Sequence, residues 1–180
     1  MKSLITILLM VLAASTQAGE LTLRVTGLFS KDRVKDLRRA VEKIERVEIK
    51  SMDYETAKVT FIFETGDEPF KPNAAPEQIR SAIDSKLKNA TRHTMTALLP
   101  AEIPKDKLSR IEIDVAGLDC KACSYAAYRA IYQLKGVARA TASFKDGKVT
   151  ALIDLQETKR LALEEALEKK GVALKSTESK

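Results

Sequence analysis

The chain has 180 residues, 31 basic and 25 acidic, with two cysteines, no tryptophan and a net charge of +6. That excess is even, 15 basic to 13 acidic over 20–100 and 15 to 12 over 101–180, and no basic block exists. Nucleic acid is therefore excluded as an expected partner.

The first 18 residues carry one positive charge, Lys2, then an uncharged apolar run from position 4 to 14 and small residues at Thr16 and Ala18. This is the pattern of a secretory signal peptide cleaved near Ala18-Gly19. The run is shorter than the roughly 20 residues needed to span a bilayer. The mature protein is expected to be secreted or periplasmic, soluble, and without a membrane span.

The remainder of the chain repeats itself. Residues 21–64 match 111–154 at a constant offset of 90, with 10 of 44 pairs identical. Agreement is better still at apolar positions, so the chain holds two copies of one domain. In the first copy, residues 21–25 alternate as a half-buried strand and a glycine loop follows at Gly27. Val34, Leu37, Val41 and Ile44 then fall on one helical face. Two strands flank a turn at Glu55-Thr56-Ala57. A proline- and glycine-containing loop over 66–76 precedes a second helix lined by Ile79, Ile83 and Leu87, and a last strand lies near 92–98. The lone His93 and the neighbouring Met95 receive no ligand role.

Residues 100–107, with two prolines, read as a short linker (100–109 as a domain boundary), so the two domains are expected to touch. The second copy spans 110–176. Its first strand is 111–115, and its first helix begins at about Cys123 with Ser124, Ala127, Ile131 and Leu134 inward. Asp146-Gly147 turns between strands 140–144 and 148–154. Leu163, Ala166 and Leu167 line the second helix, a strand near 172–175 closes the copy, and 177–180 form a tail. The repeated order strand, helix, strand, strand, helix, strand predicts an α+β fold of two tandem ferredoxin-like βαββαβ sandwiches. Each has two helices on one face of a four-stranded antiparallel sheet.

Both cysteines lie in Gly117-Leu118-Asp119-Cys120-Lys121-Ala122-Cys123. The loop ends where a helix starts, so unpaired backbone N–H groups and the helix dipole lower a thiol pKa there, and Lys121 adds positive charge. Two intervening residues let both sulfurs reach one ion. This stretch, with Gly136-Val137 after the helix, resembles the heavy-metal-associated domain family over nearly all of the second copy. That family includes copper chaperones, the periplasmic mercury-binding protein and the N-terminal modules of metal-pumping ATPases. Its usual loop is Gly-Met-x-Cys-x-x-Cys.

The resemblance implies that Cys120 and Cys123 are metal ligands for one soft or borderline ion, Cu(I), Zn(II) or Hg(II). It also implies a metal-transporting ATPase or another thiolate-bearing protein as partner. Leu118 replaces the usual methionine. Asp119 is similar to the aspartate of zinc-, cadmium- and lead-exporting ATPase domains, which implies a third ligand. The other reading of Asp119 is that it only accepts loop N–H bonds or caps the helix. Val172 stands where many members carry an aromatic residue or lysine.

In the first copy the cysteine positions hold Ser30 and Arg33, and Phe29 replaces the aspartate, so no metal is expected there. Tyr125, Tyr128 and Tyr132 form one stripe on the cysteine-bearing helix. They are read as a docking surface for a partner, as packing against the first domain, or as rings lying along their own helix with wet hydroxyls. No acid, base or nucleophile constellation points to an enzyme. A binding and transfer protein is expected, with a redox or disulfide role, or an adaptor with a vestigial site, as the alternatives.

Overall fold

The structure, a computed structural model, describes residues 18–100 and 103–175. The leader and its cleavage point lie almost entirely outside them, as does the 177–180 tail.

The first unit comprises β1 (Ala18–Thr26), α1 (Asp32–Val41), β2 (Val47–Asp53), β3 (Lys58–Glu64), α2 (Pro76–Ala90) and β4 (Thr96–Leu98). The second comprises β5 (Leu108–Ala116), α3 (Lys121–Tyr132), β6 (Val137–Ser143), β7 (Lys148–Asp154), α4 (Arg160–Glu168) and β8 (Ala173–Leu174). Each unit builds its own four-stranded antiparallel sheet, in the orders β2-β3-β1-β4 and β6-β7-β5-β8. These are the two ferredoxin-like α+β units expected. Among the described residues no helix is long and apolar enough to cross a membrane.

Alternation carries the packing. Leu23, Val25, Val59 and Phe61 turn inward from the first sheet onto Leu37, Ile83 and Leu87. Ile113, Val115, Val149 and Ile153 do the same beneath Ala127, Ile131, Leu163 and Leu167. The 66–76 loop adds Phe70 to the first core, its ring stacked 5.3 Å from that of Phe63.

Several boundaries differ from the expectation. The strand expected over 92–98 begins only at Thr96, because Arg92 and His93 take φ of 51° and 60° and turn the chain. Strand 140–144 is Val137–Ser143, and 172–175 shortens to Ala173–Leu174. Asp146-Gly147 does make the β6–β7 turn, with Gly147 at φ 58°, and the matching position in the first unit is Ala57 at φ 54°. A side chain in the left-handed region is strained there, which the glycine relieves.

Candidate metal centre

The second unit's site sits where β5 ends and α3 begins. Gly117 at φ 75° reverses the chain, and Leu118, 4% exposed, anchors the loop to the core below. Helix α3 starts at Lys121, earlier than the expected Cys123, because Cys120 itself is the N-cap. Its Sγ accepts from the Cys123 N–H at 3.2 Å. The cap assigned to Asp119 as one of its two readings is thus made by the sulfur.

The two Sγ atoms lie side by side, both free thiols, Cys120 exposed and Cys123 half-buried. The Cys120 thiol is pushed below its ordinary pKa, chiefly by the hydrogen bond from the Cys123 side chain and then by backbone N–H groups. The Asp119 carboxylate works weakly against this, and Lys121, expected to help, is not among the causes. Cys123 moves up, mainly because it supplies that shared proton. Cys120 is therefore the sulfur biased toward thiolate, and Cys123 the one biased toward keeping its proton.

Asp119 is exposed beside the pair, yet among the described residues no three His, Cys, Asp or Glu side chains come together as a metal cage. Two sulfurs are assembled, and a third donor is not. A Cβ placed on Gly117 would meet nothing within 4 Å. Val172 is buried in the second core, 9% exposed.

The tyrosine stripe is not a free surface. Tyr128 is 2% exposed, and its hydroxyl accepts from the Gly27 N–H of the first unit at 2.8 Å. Phe29 packs 5.7 Å from the Tyr125 ring and 5.8 Å from that of Tyr128, inside the second unit's core cluster. The Arg24 guanidinium covers Tyr132 at 5.4 Å. The expected partner-docking surface is overturned for a physical reason: the first unit already occupies it. Domain packing, the second reading, is what the stripe does.

Backbone bonds extend the seam. The Ala142 N–H of edge strand β6 donates to the Phe29 carbonyl at 2.9 Å. Arg139, 6% exposed, donates to the carbonyls of Leu28 at 2.6 Å and Tyr54 at 3.2 Å. The β6 register shifts between Val137 and Arg139, and the Ala138 carbonyl left over accepts from Arg24 at 2.7 Å. Sequence reading missed Arg24, Phe29 and Arg139 as seam residues. The available signal was an alanine-rich edge strand with one arginine, opposite a loop whose polar position had become phenylalanine.

Three solved structures are similar to parts of this chain. The apo N-terminal domain of ZntA is 32% identical over 38% of this chain and 90% of that one, with a TM-score of 0.35. Oxidized MerP from Ralstonia metallidurans CH34 is 21% identical over 39% and 99%, with a TM-score of 0.37. The water-soluble region of the P-type ATPase CopA from Bacillus subtilis is 20% identical over 90% and 93%, with a TM-score of 0.36. No protein-family model and no curated protein matches the chain.

Proposed function

We propose that this protein binds one soft or borderline metal ion, Cu(I), Zn(II) or Hg(II), through Cys120 and Cys123. It holds the ion outside the cytoplasm and passes it to a thiolate-bearing partner such as a metal-transporting ATPase. The observation that carries this reading is the pair of adjacent sulfurs at an exposed helix N-terminus, one already biased toward thiolate. Thiolates select soft ions, and two suffice for a linear site. With metal–sulfur bonds of about 2.3 Å, a shared tetrahedral ion needs the sulfurs nearly 4 Å apart. Rotation of the exposed Cys120 side chain would supply that spreading. Asp119 is the donor that Zn(II) would recruit, whereas Cu(I) and Hg(II) need no third ligand.

Because Cys123 retains its proton, binding releases it, and affinity rises with pH. The test is titration of the reduced protein with each ion, following thiolate-to-metal absorbance and proton release. One equivalent bound, with the signal abolished in Cys120→Ser, is expected. Binding unaffected by Cys120→Ser overturns the reading. Loss of Zn(II) affinity alone in Asp119→Ala would identify the carboxylate as a ligand.

The same sulfur pair favours one alternative, a dithiol that cycles to a disulfide, since Cys120 is the more nucleophilic of two touching thiols. Catalysed reduction of a disulfide substrate by the metal-free protein would support it.

A further inference from the structure

The two βα loops are closed by different means. In the first unit Arg33 stands at the position matching Cys123. Its Nε donates to the Gly27 carbonyl at 3.2 Å, Nη1 to Asp36 at 2.7 Å and Nη2 to the Thr94 hydroxyl at 2.7 Å. The guanidinium carbon lies 5.5 Å from the centroid of the Phe29 ring. One side chain therefore ties the start of the loop to helix α1 and to the turn before β4, and also supports the inserted phenylalanine. The closure is tight: a Cβ on Gly27 would lie 2.1 Å from the Thr94 carbonyl. At Gly117 the same construction meets open space.

The loop so held offers three backbone groups in a row to the second unit: the Gly27 N–H to Tyr128, the Leu28 carbonyl to Arg139 and the Phe29 carbonyl to Ala142. We propose that Arg33 is a built-in cation that closes this loop permanently, so that the first unit serves as a resident docking partner for the α3–β6 face of the second. Likening the guanidinium to a metal ion rests on the proposed function; the docking role does not.

The residue type fits the task. A guanidinium carries its charge at every accessible pH and offers a planar fork that reaches several acceptors at once, which lysine cannot reproduce. The arrangement also has a consequence for exchange. The α3 face behind Cys123 is filled by Phe29, so a partner reaches the thiols across the exposed stretch Asp119–Ala122 instead.

The test is hydrogen exchange at the Gly27 and Ala142 amides of the full chain, reduced and free of metal. Arg33→Met keeps the length and removes the charge and the fork. It is expected to speed exchange at both amides about tenfold or more, the cost of losing roughly one hydrogen bond's worth of closure. Arg33→Lys should fall between wild type and Arg33→Met. The β7 amide of Val149 and the β3 amide of Phe61 should keep their protection, which shows that both sheets remain folded. If Arg33→Met also exposes Phe61, the milder Thr94→Val, which removes one acceptor of the fork, should give a smaller rise at Gly27 and Ala142 alone. Wild-type protection of both amides in Arg33→Met, or in Thr94→Val where that variant decides, overturns the proposal. Since no metal is present, this result is independent of whether Cys120 and Cys123 bind one.

Discussion

The loops after β1 and β5 begin with the same Gly-Leu pair and then diverge. In the first unit the loop carries a buried Phe29, is cross-linked by the half-buried Arg33 guanidinium and is hydrogen-bonded to its neighbour. In the second, Asp119, Cys120 and Cys123 leave the loop exposed, with two thiols side by side and open space at Gly117. The backbone path is shared, and the side chains decide whether it faces protein or solvent. An open, weakly tied loop is what the proposed ligand exchange needs, whereas the filled and pinned loop holds the two units together.

The largest contrast should come from exchanging function between the loops. If Cys120 is the ligand proposed, Cys120→Ser should weaken Hg(II) or Cu(I) binding by at least about 100-fold, measured by competition with a chelator, because removing a direct ligand exceeds the usual cost of removing a supporting one. Ser30→Ala should leave it unchanged.

Next in size is the filled loop. Phe29→Ala removes a buried ring from between Tyr125 and Tyr128 and should destabilise the chain by about 3 kcal/mol in urea unfolding. Asp119→Ala, at the matching exposed position, should fall within about 0.5 kcal/mol of wild type. Equal effects would erase the distinction drawn between the loops. Arg139→Met leaves the buried Leu28 carbonyl without its arginine donor, while the Tyr54 carbonyl keeps the Ala57 N–H, and should cost about 2 kcal/mol.

Tyr128→Phe removes only the hydroxyl that accepts from Gly27, at about 1 kcal/mol. It should also change the alkaline limb. Burial pushes the Tyr128 phenol up to about 12, above its unfolded value of 10. The contribution of the neutral phenol is therefore complete below pH 10 and is lost as pH rises toward 12. Tyr128→Phe should make that part of the decline shallower. The smallest effect is Ala57→Gly, which relieves a left-handed alanine and should shift stability by no more than about 1 kcal/mol.

The repeat made the fold legible, because the two copies' apolar periods agree in strand and helix and each copy checks the other. The cysteine pair was legible as a candidate site from its own spacing, two residues apart in a loop that ends where a helix starts. The seam was harder to read. Tyr128 looks exposed on its own helix, since its counterpart in the first unit is Arg38, an exposed residue. Only the second surface, brought by Phe29 from a position 99 residues earlier, makes it buried. Helix α3 began earlier than expected because a cysteine sulfur, not a usual capping oxygen, takes the Cys123 amide. Arg33 read as a lost ligand. Its three acceptors lie at Gly27, Asp36 and Thr94, and the last is separated from it by two strands and a helix.

The most direct test is equilibrium dialysis of the reduced full chain against Hg(II) or Cu(I), with the Cys120→Ser, Cys123→Ser double variant alongside. One equivalent on the wild-type protein and none on the variant is the expected result. A bound equivalent that survives in the variant, or a second one on the wild type, would place metal in the first unit and contradict the division of labour between the two loops.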